Sequence, residues 1–233
     1  MKVIILAAGF GTRLYPFTLE HPKSLLKIKG MPLIDYIIEK IPRSVEETIL
    51  VSNEKFYDSF LEWKKTSGAK LKILNDGVLV NEERLGGIAD LWWAIQKEKI
   101  NDDLLIILGD NFFDFNLETF LDFFYKDKRI SIGLYQTDFQ KAKRFGVAEV
   151  EGNDLIDIEE KPDNPKSGLI VTGLYLIPKE KISLIQEYMK TDKDKGGITY
   201  LIKDWLGKEK IKSHTFEGVW EDIGDVETYE KLK

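Results

Sequence analysis

The sequence predicts an α/β fold, a three-layer sandwich built on a mixed, mainly parallel central sheet. Three observations carry this. Short apolar runs at residues 3–7, 48–51, 71–74 and 104–108 have the aliphatic composition of buried strands. Between them, residues 33–41, 56–65 and 88–97 space their apolar side chains as one face of a helix does. Such a βαβαβαβ succession needs crossover connections, so the strands run parallel and the helices cover both faces of the sheet. In the second half, strand signals crowd together at residues 130–135, 147–150, 155–158, 169–176 and 213–216, with a hairpin turn at Gly152, Asn153 and Asp154. Those strands are expected to extend the same sheet, partly antiparallel.

Length and composition bound the remaining possibilities. The chain has 233 residues, enough for one domain with a full hydrophobic core, and no linker, repeat or low-complexity tract divides it. A single domain is expected, in two halves of about residues 1–115 and about 116–233. The net charge of −6 provides no footprint for nucleic acid or an anionic membrane. With no cysteine there is no disulfide, thiolate nucleophile or cysteine metal site, which suits a cytoplasmic protein. The N-terminal apolar run stops after about six residues, at the short edge of a signal-peptide core. No stretch approaches the ~18 apolar residues of a membrane span.

The loop after the first strand, Leu6 to Pro16, reads LAAGFGTRLYP. In an open α/β sheet, ligands lie beyond the carboxyl ends of the strands, and this loop is the usual phosphate site. Glycines let backbone N–H groups face an anion, and Arg13 adds a two-pronged cation. The third glycine of a dinucleotide loop and the Lys-Ser/Thr of a P-loop are both missing. The longer stretch, LAAGFGTRLYPFTLEHPKSLLKIKGMPLIDY, resembles the signature of the sugar-1-phosphate nucleotidylyltransferases. Later landmarks follow in the same order: LGDN at Leu108, FGVAEV at Phe145, EEKP at Glu159, VTGLYLIP at Val171 and WEDIGD at Trp220.

The resemblance implies a Rossmann-like fold, with about residues 1–115 as the nucleotide-binding half and about 116–233 as the sugar-phosphate-binding half, and transfer of a nucleotidyl group to a sugar 1-phosphate, with release of pyrophosphate. Direct attack by the acceptor phosphate needs no protein nucleophile and no strong base, only alignment and positive charge. It implies nucleotide contacts from Leu6, Ala8, Gly9, Gly11, Thr12, Arg13, Asn81 and Gly86, with Arg13 and Lys23 as the catalytic cations. Asn111, Gly146, Glu160, Lys161 and Thr172 are implied on the sugar-phosphate side. Asp110 and Asp222 are the implied ligands of Mg²⁺, a hard cation that takes one or two carboxylates and fills its shell with phosphate and water. Trp92, Trp93, Phe112 and Phe113 read as packing residues.

Departures shape the finer expectations. Asn81 stands where thymidylyltransferase-like relatives carry glutamine, so dTTP or UTP is the favoured donor with the base in question. Gly146, Glu160 and Thr172 favour a hexose 1-phosphate over a CTP-dependent reaction on phosphocholine. Retention of Lys23, Asp110 and Asp222 favours an enzyme over a non-catalytic nucleotide-sugar sensor. The sequence stops at Lys233, soon after Asp222, so C-terminal regulatory helices and a β-helix domain are not expected. Asp225 reads as the cap of a helix starting at Val226 rather than as a metal ligand. A homo-oligomer is compatible with this sequence.

Overall fold

The computed structural model describes all residues, Met1–Lys233. The chain runs β1 (Lys2–Leu6), β2 (Lys27–Ile28), β3 (Met31–Pro32), α1 (Leu33–Lys40), β4 (Glu47–Ser52), α2 (Glu54–Ser67) and β5 (Lys72–Asn75). Next come α3 (Gly87–Glu98), β6 (Leu104–Leu108), β7 (Asn111–Phe113), α4 (Glu118–Tyr125), β8 (Ser131–Gln136), α5 (Phe139–Ala142) and β9 (Gly146–Glu151). The remainder is β10 (Asp154–Glu160), β11 (Leu169–Ile177), α6 (Ile182–Met189), α7 (Ile198–Leu206), β12 (Lys212–Phe216), β13 (Trp220–Asp222) and α8 (Val226–Leu232).

One nine-stranded sheet runs through both halves in the order β5-β4-β1-β6-β11-β8-β12-β10-β9. The β5-β4-β1-β6 block is parallel, as the alternation of strands and helices requires. Only β11 and β10 run against the other strands, so the sheet is mixed yet mainly of one direction. Alternate side chains of the same strand feed opposite layers: Val3, Ile5, Leu105 and Ile107 join one core, and Ile4, Leu104 and Ile106 the other. Helices α1, α2 and α4 cover the first face through Ile37, Phe60 and Phe124. Helices α3, α6 and α7 cover the second through Leu91, Ile185 and Leu201. The second half therefore holds more helix than its strand-rich sequence suggests. Ile198, Leu201, Ile202 and Trp205 do follow helical spacing, but in a nine-residue segment too short to stand out among strands.

Two local features open the cleft. Strand β11 changes partner along its length: residues 174–177 pair with β6, whereas Ile170 pairs with Val147 of β9. Its pairing with β8 is interrupted between Val171 and Tyr175. In that gap, Gly173 takes a φ of +77°, and a Cβ there would lie 2.6 Å from Asn111 Nδ2 and 2.9 Å from the Leu108 side chain. Only glycine fits a chain that close in a left-handed conformation. The fork between β6 and β9 lies at the carboxyl end of β6, the place where open α/β sheets bind ligands. Beside it, β7 and β13 form a small antiparallel ribbon that sets Asp222 opposite Asn111.

Candidate functional site

The loop after β1 is shaped by glycine and by one buried anchor. Gly11 sits at φ +63°, and its carbonyl accepts hydrogen bonds from Leu14 N (2.8 Å) and Thr18 Oγ1 (2.7 Å). A single 3₁₀ turn, Thr12–Leu14, follows; Leu14 is buried in a third core with Leu26, Ile28 and Leu33, which leaves Thr12 and Arg13 on the surface. Gly9 is exposed with open space around it, as an anion-facing glycine requires. The Leu6 carbonyl accepts from Gly109 N (2.8 Å) and the Ala8 carbonyl from Asn53 Nδ2 (2.8 Å), so both are already engaged within the fold.

Lys23 rides on a second 3₁₀ turn, Lys23–Leu25, pinned by Ser24 Oγ donating to the Gly109 carbonyl (2.6 Å). Its ammonium donates to Asp110 Oδ2 (2.8 Å) and lies 3.6 Å from Asp222 Oδ1. Backbone pairing keeps the two carboxylates together: Ile223 N donates to the Asp110 carbonyl (3.0 Å). Burial pulls the Lys23 ammonium toward neutrality, but the Asp110 and Asp222 charges outweigh it and leave its pKa raised. Burial and the charge of Asp110 push Asp222 up to about 6. Asp110 moves the other way, because Lys23 overcomes its burial. Two adjacent carboxylates that resist joint ionisation make an oxygen pair suited to a divalent cation. No cluster of three or more acidic or histidine side chains forms, so the protein would supply two ligands, the number Mg²⁺ takes when phosphate and water complete its shell.

Across the fork, Asn111 is buried and donates from Nδ2 to the Leu108 carbonyl (3.1 Å). Gly146 pairs with Glu160 across β9 and β10, and a Cβ on it would press on Thr199 at 3.0 Å. Lys161, at φ +48°, turns the chain out of β10 and places its ammonium 3.6 Å from Glu160 Oε1. Arg13, Asp110, Asp222 and these four acceptor-side residues share one cavity with Thr172. Thr172 also serves the fold. Its hydroxyl donates to the Gly133 carbonyl (2.9 Å), so that proton is committed within the fold. Trp220 and Asp222 both face the cavity, while Glu221 points outward to Lys141 at 2.7 Å.

The structure also adds residues that the sequence did not single out. Arg144, Tyr175 and Thr199 line the cavity; burial, followed by the nearby Glu160, raises the Tyr175 phenol and keeps it neutral. Asn81 and Gly86 do not line it. Asn81 opens a 3₁₀ turn, Asn81–Glu83, on a separate loop. Gly86, at φ +96°, is required by packing: a Cβ would stand 2.7 Å from the Lys195 carbonyl. Phe112 and Phe113 are buried, and Trp92 and Trp93 pack against the core, as packing residues do. No helix is long and apolar enough to cross a membrane.

Residues 2–233 match the family described as nucleotidyl transferase. The chain is 32% identical over 228 residues to the bifunctional protein GlmU of Methanocaldococcus jannaschii, covering 96% of this chain and 51% of that protein. It is 29% identical to a provisionally named mannose-1-phosphate guanyltransferase of Sulfolobus acidocaldarius, across 100% of this chain and 62% of the relative. The chain thus spans about half to two-thirds of the length of these curated relatives. A crystal structure of a provisionally named glucose-1-phosphate thymidylyltransferase from Bacillus anthracis, in complex with a sucrose, superposes with a TM-score of 0.84. The match has 28% identity and covers 100% of this chain and 93% of the other.

Proposed function

Since the chain belongs to the nucleotidyl transferase family, we propose that it joins a nucleoside triphosphate to a sugar 1-phosphate, releasing pyrophosphate and forming a nucleotide-sugar. The observation that carries this is Lys23, set between Asp110 and Asp222 where the Arg13 loop meets the acceptor cavity. Gly9, Gly11 and Thr12 receive the triphosphate, and Arg13 lies on the pyrophosphate that leaves. The Lys23 ammonium serves the α-phosphate, where it touches both attacking and departing oxygens. The acceptor phosphate is already anionic, so attack is direct and in line, and the protein contributes alignment and positive charge. Lys161 holds that phosphate; Asn111, Gly146, Glu160 and Thr172 form the sugar floor.

Asp110 and Asp222 would hold Mg²⁺, which when bound neutralises charge on the phosphate oxygens. Asn81 and Gly86 belong to the base side. An asparagine amide offers one donor and one acceptor, matching the imide edge of uracil or thymine, so dTTP or UTP is the favoured donor. The name of the Sulfolobus relative brings GTP and mannose 1-phosphate into the test as well. Pyrophosphate release is measured with five nucleoside triphosphates against glucose, mannose and N-acetylglucosamine 1-phosphates and phosphocholine. At least one sugar 1-phosphate pair is expected to turn over and to be silenced by EDTA. Folded protein that binds nucleotide yet releases no pyrophosphate with any pair would instead be a sensor.

A further inference from the structure

We propose that Arg144 binds the phosphate of the acceptor, as a second cation beside Lys161, and that Asp225 holds its guanidinium in place. This rests on the nucleotidyl-transfer reading of the cavity. Three cationic side chains line that cavity, Arg13, Arg144 and Lys161. Arg13 belongs to the loop after β1, and the Lys23 ammonium is engaged by two carboxylates. An acceptor phosphate that must approach a triphosphate needs positive charge of its own within the cavity. Lys161 alone is a single point charge, with its side chain 57% exposed and its ammonium 3.6 Å from Glu160.

Arg144 stands next to it through the backbone, because Lys161 N donates to the carbonyl of Phe145 (2.9 Å). The segment carrying Arg144 is docked on β13 at two points. Lys141 pairs with Glu221 at 2.7 Å, and the Phe145 ring meets Trp220 edge-on at 5.2 Å. These contacts carry Arg144 over the turn between Asp222 and α8, where its Nη2 pairs with Asp225 Oδ2. The other oxygen of Asp225 accepts from Thr228 N (2.9 Å) and caps α8, so this carboxylate is fixed by the helix it starts. Arg144 spends one of its five N–H donors on Asp225, and its side chain makes no other hydrogen bond to the protein. A guanidinium tethered at one corner, lining the cavity, with its remaining donors unpaired, is arranged to grip phosphate oxygens with two parallel bonds. Exposed ion pairs add little stability, so the pair is better explained by placement of the arginine.

Kinetic constants for both substrates are measured on wild type, Arg144→Ala, Arg144→Lys and Asp225→Asn, using whichever of glucose, mannose or N-acetylglucosamine 1-phosphate the wild type accepts. Arg144→Ala should raise the acceptor KM by about tenfold or more, as loss of a charge-assisted phosphate contact does, with the triphosphate KM and Tm unchanged. Arg144→Lys should recover part of that loss. Asp225→Asn keeps the helix cap but drops the charge, so it should leave Tm near wild type and raise the acceptor KM by roughly threefold. If Arg144→Ala leaves the acceptor KM within about twofold, or raises the triphosphate KM instead, the assignment fails while the transfer reading stands. If the wild type releases no pyrophosphate with any pair, the transfer reading fails and takes this assignment with it.

Discussion

Asp222 and Asp225 are three positions apart and chemically alike, yet their surroundings give them opposite characters. Asp222 is forced up to about 6 by burial and by Asp110, so its charge is a burden to the fold. Asp225 is stabilised as a carboxylate: burial opposes this, and the Thr228 N–H and Arg144 prevail. Asp222→Asn removes a repulsion and should hold or raise Tm, while kcat falls on the order of 10²-fold because the proposed Mg²⁺ loses one of its two carboxylates. Asp225→Ala should do the reverse to stability, costing roughly 0.5 to 2 kcal/mol through loss of the cap. Thermal melts and initial rates on the two variants check both statements, and swapped phenotypes would reassign the second metal ligand. The spacing of Trp220, Glu221 and Asp222 made it legible that Trp220 and Asp222 share one face, because alternate residues of a strand do. The pairing of Asp225 with Arg144 was not legible, since 81 residues separate the partners.

At the scale of elements, α2 links helix capping to the loop after β1 through one side chain. Asn53 accepts from Phe56 N (3.0 Å) as the N-cap and donates from Nδ2 to the Ala8 carbonyl (2.8 Å), both fully buried. Asn53→Ala should cost about 1 to 3 kcal/mol, a cap plus a buried carbonyl left without its donor. Asn53→Asp retains the cap but turns a buried carboxylate oxygen toward the Ala8 carbonyl, adding an uncompensated charge to the lost bond. It should therefore destabilise at least as much as Asn53→Ala in urea unfolding at neutral pH, and less at acid pH where the carboxyl is protonated, while raising the KM for triphosphate because the backbone beside Gly9 loses its support. Equal effects of the two variants on KM and a stability difference that changes with pH are the expected outcome. The helix itself was readable from the 56–65 periodicity; its true span, Glu54–Ser67, is longer at both ends. Its polar cap and its αL Gly68 terminus add residues that apolar spacing does not register.

For the whole molecule, stability should depend on pH through a carboxylate pair that the proposed transfer chemistry does not use. Asp90 in α3 is buried, its Oδ1 has no hydrogen-bond partner, and burial together with Asp76 lifts its pKa to about 7. The folded state therefore holds a proton that the unfolded chain releases near the ordinary aspartate value. Stability from this pair is present at acid pH and is lost as pH rises through about 7. Asp90→Asn should gain on the order of 2 kcal/mol over wild type at pH 8, with a much smaller difference near pH 4.5, in denaturant titrations at the two pH values. The same variant at both pH values giving equal gains would mean that Asp90 is ionised throughout.

Local chemistry determined the strands of the main sheet, the parallel first half, the hairpin at Gly152 and the glycine turn after β1, because aliphatic runs, helical spacing and glycine act within a few residues; the two- and three-residue strands β2, β3 and β7 are too short to register in this way. Residue identity within the motifs also marked Lys23, Asp110 and Asp222 as one group. Only the tertiary structure decided that β11 shares its length between β6 and β9 and thereby opens the cavity. It also decided that the Thr172 hydroxyl is spent on Gly133, and that Arg144 faces the cavity under the hold of Asp225. Each of these depends on which strand or turn, distant along the chain, comes to lie alongside. Sequence periodicity determines which side of an element is buried, whereas the neighbour it meets there depends on how the whole sheet closes.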